Sequence, residues 1–493
     1  MATDVSRRPT IAGIGQLVQR VDDPAEAVSP IEMMENAIRK AAEDAGAPKL
    51  VEHLDAIYVP RGTWQYGNPG KLLGERLGSP NATSITGAVS GHIVQILLNM
   101  ACREIAAGKA DVIAIVGGES ENSRRKIAGA GKDLHWEESP EGEPDLRFGD
   151  EYSPPPGAEL RAGTLKPSVT FSLADTSMRR ARGETPDAHR KRISEVAARL
   201  SAVAAKNPYA WTQQALTAEE IREPTPDNRM VTYPYTKRMT SNISVDQSAA
   251  VIVCSGELAA RLGIADDRHV HVRAATEMSH ANWLSHRQEL HRHPGLEIAG
   301  QRVLEIAGVD GKALSHIDLY SCFPFAVQAG AAALGLDEQR ELSVTGGLLY
   351  SGGPLGNYVL QAQAAMVGRL RGEPGSVGLV GSVGGSFAKF AFSVMSTDPG
   401  DQAGPIVEDV SAEFAAMPER DVIDEYDVEA TIESTAVDVL RGGEATTIAA
   451  GLDDAGHRVW GRSEDPELSK AILGGEDVCG KRARFAKDAF ELV

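Results

Sequence analysis

The chain has little of what would staple it outside a cell or anchor it in a membrane. Its 493 residues hold four cysteines, Cys102, Cys254, Cys322 and Cys479, far apart and with no Cys-x-x-Cys pair. That spacing speaks against a disulfide framework or a zinc ribbon and fits reduced thiols. The longest apolar runs, such as Asp111-Val-Ile-Ala-Ile-Val-Gly117, are of strand length, well short of the roughly 20 residues of a membrane span. The opening Met-Ala-Thr-Asp-Val-Ser-Arg-Arg-Pro has no apolar signal core, so a cytoplasmic protein is expected. Positive charge is scarce as well. The formal net charge is −19, and residues 401–493 alone account for −13 of it. A nucleic-acid partner would need a basic stripe, which this balance argues against; the acidic end reads as a solvated surface.

What is present is ordinary for a globular protein: 42% apolar and 24% charged residues, with length for more than one domain. The pattern alternates. A strand at 9–14 precedes a helix from Pro30 to Ala47 with Ile31, Met34, Ala37 and Ile38 on one face, and a strand follows at Leu54–Val59. Such alternation points to α/β architecture with a mostly parallel sheet. Thr83–Gln95 then feeds a helix that ends near Gly108 and is apolar over most of its circumference, as expected of a helix buried between two sheets. The strand Asp111–Val116 closes on Gly117-Gly-Glu-Ser120. The same succession of small-residue loop, buried helix, turn, strand and glycine pair occurs at 87–118 and again at 352–385, which predicts two related halves. The second occurrence opens with Thr345-Gly-Gly-Leu-Leu-Tyr-Ser-Gly-Gly-Pro-Leu-Gly-Asn357. Too glycine-rich for helix or strand, and placed before a helix, this loop suits close approach of backbone N–H groups to a ligand. Residues 121–235 read as an insertion with its own helices, clearest at 186–206. Strands at 431–439, 445–450 and 457–462 suggest a small β domain after a Pro/Gly-rich linker at 398–405. The expected division is 1–265, 266–397 and 401–493.

Over about 1–397 this pattern resembles the thiolase family. The likeness rests on the Gly108-Lys-Ala-Asp turn, Gly118-Glu-Ser and Asn242-Ile-Ser-Val-Asp-Gln-Ser. The resemblance implies a duplicated α/β fold, layered αβαβα with mixed, mostly parallel sheets, plus the small mainly β C-terminal domain. It also implies acetyl-CoA acetyltransferase-like lipid metabolism, coenzyme A or an acyl-CoA as ligand with no further cofactor, Ser244 near the pantetheine, and a homodimer paired through the core sheet edge. The departures are as informative. Gly91 (or Ala88) falls where the family has its nucleophilic cysteine, and Gly353 of Gly352-Gly353-Pro354 falls where it has its histidine base. Tyr320 stands for the residue that orients the oxyanion water, and Ser382, with Gly384 beside it, for the second reactive cysteine. Claisen chemistry needs a thiolate to hold the acyl group and a base to make the carbanion. Binding of a thioester without standard turnover is therefore expected, as in the thiolase-like subgroup that lacks these residues and carries an extra C-terminal domain. Two alternatives stand beside it: an acyltransferase or thioester hydrolase using Cys322, His92 or Tyr320, and an interaction subunit recruiting a protein through 401–493. His286, His291 and His293 match no metal motif.

Overall fold

In the computed structural model, residues 5–132, 136, 142–149, 154–400 and 404–493 are described. The stretch 137–156 and the linker 398–405 fall partly outside them. Strand β1 (Pro9–Val18) is thinned by glycine so that helix α1 (Pro30–Asp44) can lie directly on it. A Cβ at Gly13 would stand 2.0 Å from the Ala41 carbonyl oxygen, and one at Gly15 equally close to that of Ala37. Helix α1 starts where its sequence says it should. Pro30 takes the first turn, where no N–H is missed, and the Ser29 hydroxyl accepts from the Glu32 amide.

The first sheet also contains β2 (Ala56–Pro60), β3 (Thr83–Gly87), β4 (Val112–Ser120), β5 (Leu146–Phe148) and β8 (Asp246–Ser255), in the order β1-β8-β4-β2-β3-β5. The second has β9 (His271–Met278), β10 (His316–Asp318), β11 (Val377–Gly384), β12 (Lys389–Ser396) and β13 (Ile406–Asp409), in the order β10-β11-β12-β9-β13. Both share one plan. In β1-β8-β4-β2 and in β9-β12-β11-β10 the pairings run antiparallel, antiparallel, parallel. The duplication expected from the repeated glycine-bounded units is thus present in the hydrogen bonding.

Helices α3 (Ile93–Ala106) and α8 (Tyr358–Gly372) lie between the sheets and pack on both. Helices α1 and α2 (Pro69–Leu77) cover the outer face of the first sheet, and α6 (Pro294–Ala307), with α7 (Pro324–Ala333) packed against it, that of the second. The result is an αβαβα stack. The central layer is also tied by polar groups. Gln363 of α8 and Ser393 of β12 both donate to the Gln95 side-chain oxygen, at 3.0 and 2.9 Å. Gln95 donates to Asn99 at 2.8 Å, and Asn99 to Glu277 of β9 at 3.0 Å. All five side chains are buried.

A third sheet comprises β14 (Asp427–Val439), β15 (Ala445–Asp453), β16 (Arg458–Ser463), β17 (Arg482–Ala486) and β18 (Ala489–Leu492). Because β14 pairs with both β15 and β17, these five strands close into a ring around Ile432, Ala449, Val459, Phe485 and Phe490. Its limits differ from the boundary expected at 401. Residues 406–409 belong to the second sheet through β9, while β6 (Met230–Tyr233) and β7 (Tyr235–Thr236), from the expected insertion, extend the third sheet from β14. Composition marks where texture changes; it carries no information on which distant strand a segment joins. The insertion also supplies α4 (Pro167–Ala181) and α5 (Pro186–Ala204); α4 packs on β14. At the edge of the first sheet β5 pairs in parallel with β3, so the outer side of β3 is already occupied within the chain. No helix among the described residues is long and apolar enough to cross a membrane.

Replacing Gly15 by valine should lower stability by about 1–3 kcal/mol through overpacking against α1. Urea unfolding of the variant at an unchanged midpoint would show that the β1–α1 contact is looser than described.

Candidate ligand-binding site

Chain segments from both halves end at one place. The loop after β3 leads into α3 through 88–92, β11 ends at Gly384, the segment after β10 runs through Tyr320 and Cys322, and the glycine-rich loop 345–357 precedes α8. Between them is a cavity of about 560 Å³. Gly91, Tyr320, Cys322, Gly353 and Gly384 all line it, with Phe171, Phe323, Leu355, Val383 and Phe387 giving it an apolar wall.

Asp318 builds one side. Fully buried, it accepts hydrogen bonds from the Ser343 hydroxyl at 2.8 Å, the Val344 amide at 2.9 Å and the Tyr358 hydroxyl at 2.8 Å. The Tyr358 hydroxyl also meets that of Thr345 at 2.7 Å. The carboxylate thereby pins the start of the glycine-rich loop to the start of α8. Burial pushes its pKa up to about 6, against several hydrogen bonds that favour the anion. The loop itself turns at Gly346, Gly347 and Gly352, all at positive φ, where a Cβ would be strained. The expectation that it offers free amides does not hold at Gly353, whose N–H donates to the Asn242 carbonyl at 2.8 Å.

The two positions singled out for catalytic groups differ sharply. A Cβ on Gly91 would lie 2.2 Å from the Val383 carbonyl oxygen and 2.4 Å from the Tyr320 hydroxyl. The space a side chain at 91 would need is filled, in part by backbone. A Cβ on Gly353 would meet nothing nearer than 3.5 Å. Tyr320 reaches the cavity with its ring edge-on to Tyr358, the centroids 5.8 Å apart.

The substitute candidates separate. Burial drives the Cys322 thiol pKa strongly upward, and Tyr320 likewise, so both stay protonated. His92 does not face the cavity. It sits at the start of α3, its Nδ1 2.7 Å from the Ser90 hydroxyl and its Nε2 3.3 Å from that of Ser279. Burial, with the nearby Lys389 charge, brings its pKa down to about 3. Ser382 does not line the cavity either: its hydroxyl donates to the Ala391 carbonyl across the β11–β12 pair at 2.8 Å. Gly352 lies against Gln247 instead of the cavity, a Cβ there meeting the amide oxygen at 2.2 Å. Among the described residues no cluster of His, Cys, Asp or Glu has a metal-holding arrangement; His293 is buried among Phe387, Phe390 and Phe414.

Ser244 stands one step further out. With Asn242 it lines a vestibule of about 1020 Å³ that shares Val231, Thr240, Ser241 and Ile243 with the inner cavity. The segment is held in place by backbone bonds from Ser241 to Cys322 and from Asn242 to Leu348, at 3.0 and 3.1 Å. Sequence reasoning missed the apolar lining and the vestibule's cations, Arg229, Lys237 and Arg238. The Lys237-Arg238 pair, a few residues before Asn242, was the available signal. Phe171 and Phe387 carried none, since a buried aromatic looks the same in a core.

Two layered α/β halves with paired central helices opening on one cavity are the architecture of the thiolases, and comparison with known proteins agrees. No family model matches the chain. It is 25% identical over 217 residues to an acetyl-CoA acetyltransferase of Methanothermobacter thermautotrophicus, a match covering 39% of this chain and 55% of that protein. It is 25% identical over 187 residues to the benzoylsuccinyl-CoA thiolase subunit BbsB of Thauera aromatica, covering 34% and 46%. The chain thus spans about half the length of the curated relatives it matches. A crystal structure of a monomeric SCP2-thiolase-like protein type 1 from Mycobacterium smegmatis superposes over 100% of both chains, with a TM-score of 0.83 and 27% identity. In sequence and in fold the chain is similar to thiolases and thiolase-like proteins.

Two variants separate the closed position from the open one. Gly91→Cys should lose about 1–3 kcal/mol of stability, whereas Gly353→Ala should stay within about 0.5 kcal/mol of the parent; equal costs in urea unfolding would contradict the geometry. For Asp318 the folded pKa of about 6 lies above the ordinary 3.8. Its protonated form is therefore the one the fold favours, and the stability it contributes is complete below about pH 4 and lost as pH rises through about 6. Asp318→Asn should flatten that slope in unfolding measured from pH 4 to 8, and an unaltered slope would count against it.

Proposed function

We propose that this protein binds a coenzyme A thioester with its acyl group in the inner cavity, and does so without thiolase turnover. The observation that carries the reading is the closure at Gly91. Where the thiolase resemblance places the nucleophile, the Val383 carbonyl and the Tyr320 hydroxyl leave no room for a side chain. Chemistry by acyl transfer to the protein would need a thiolate there and a base opposite it, and the base position is Gly353. The three candidate substitutes are held uncharged: His92 neutral, Cys322 a thiol, Tyr320 a phenol.

What the site offers is recognition. The apolar wall suits an apolar acyl chain or ring, Tyr320 has a hydroxyl to donate toward a thioester carbonyl, and Asn242 and Ser244 stand along the route outward. The relatives named for acetyl-CoA and benzoylsuccinyl-CoA support the ligand class. The Cys322 alternative finds no histidine on the cavity wall to take its proton, so the binding reading is preferred.

Isothermal titration with CoA and with a set of acyl-CoAs should give micromolar to submillimolar binding that tightens with acyl size, while thiolytic and condensation assays stay at background. Absence of heat at millimolar ligand, or turnover that survives purification and disappears in Cys322→Ala, would defeat the proposal.

A further inference from the structure

The vestibule gathers positive charge on a protein whose net charge is −19. Arg229, Lys237, Arg238 and Arg441 line it against one acid, Asp227; a fifth cation, Arg125, is already paired with Glu121. Arg229 donates to the carbonyls of Met230 and Val439 at 2.8 and 3.2 Å, and Arg238 to that of Glu220 at 2.8 Å. Among the described residues neither forms an ion pair, though the Arg238 charge acts on the Glu220 carboxyl. Among the described residues Lys237 and Arg441 have no ion pair either. Four cations against one lining acid in a concave site focus potential on whatever anion enters it.

Three of these side chains belong to the segment that leads to Asn242. Arg441 does not. It comes from the tip of the β14–β15 hairpin, in the third sheet, and is exposed. The hairpin's root is fixed on the core: β14 pairs with β6 at Val437–Tyr233 and Asp438–Thr232, the Thr232 hydroxyl donates to Asp438 at 2.9 Å, and Lys166 forms an ion pair with Asp438. The tip is therefore held over the vestibule by the same strand pairing that joins the third sheet to the rest.

We infer that the third sheet is part of the ligand site: Arg441, together with Arg229, Lys237 and Arg238, receives the phosphates of the coenzyme A nucleotide. The inference rests on the thioester reading above and adds a role for the C-terminal strands, which select a carrier whose far end is polyanionic. The apolar cavity takes one end of the ligand and the basic vestibule the other, and the four residues common to both mark the passage between them.

The test titrates the full chain with CoA, dephospho-CoA and pantetheine at low and moderate salt, comparing the parent with Arg441→Gln, Arg441→Lys and Arg238→Gln. CoA should bind tenfold or more tighter than pantetheine, with an advantage that shrinks as salt rises. Arg441→Gln should weaken CoA about three- to tenfold and leave pantetheine unchanged, Arg441→Lys should recover most of the loss, and the unfolding midpoint should not move. Unchanged CoA affinity in Arg441→Gln, or equal loss for CoA and pantetheine, overturns the inference. A parent that binds pantetheine and CoA equally well defeats the phosphate subsite while leaving the cavity reading intact; a parent that binds neither defeats the cavity reading itself.

Discussion

Gln95 occupies the centre of the molecule, and its side-chain oxygen receives Gln363 from one half and Ser393 from the second sheet. Apolar contact alone would let two helices sandwiched between sheets slide, because it has little directional preference. A buried amide chain does not slide. Each shift of α3 against α8 would strand a polar group in a low-dielectric interior, at a cost of about 1–3 kcal/mol per group. The consequence reaches the cavity, because α3 and α8 begin at its rim. Fixing their relative height fixes the spacing of the loops at 88–92 and 345–357, and Asp318 then holds the second loop to its helix.

Charge is sorted along the route into the protein. In the cavity the Tyr320 hydroxyl and the Cys322 thiol are kept protonated by burial. Further out, arginines and a lysine line the vestibule. On the proposed reading, a neutral thioester with an anionic tail would meet each kind of group at the matching depth.

Local pattern made the core legible. The apolar circumference of 93–106 announced a helix between sheets, and the glycine pairs at 117–118 and 384–385 marked the ends of equivalent strands. Gly91, Tyr320, Cys322, Gly353 and Gly384 do meet at one cavity. Ser382 does not line that cavity: matching by motif gives a position on β11 but not what its hydroxyl bonds to, which is the Ala391 carbonyl. His92 was visible as a helix-opening residue, yet its orientation is set by Ser90 and Ser279, the latter far away in the chain. The contribution of β6 and β7 to the third sheet lay beyond local reading altogether, because register between Thr232 and Asp438 is written in neither segment alone.

The blocked space beside Gly91 has an implication for descent. A missing side chain can return by one codon change, but a carbonyl of the main chain cannot be mutated away. A lineage that acquired cysteine at 91 would first meet the Val383 oxygen and lose stability, so the turn at 383–387 and Tyr320 would have to change beforehand, with no catalytic benefit to select for it. Open space at Gly353 imposes no such barrier. A side chain at 91 therefore requires its surroundings to move first, whereas one at 353 does not.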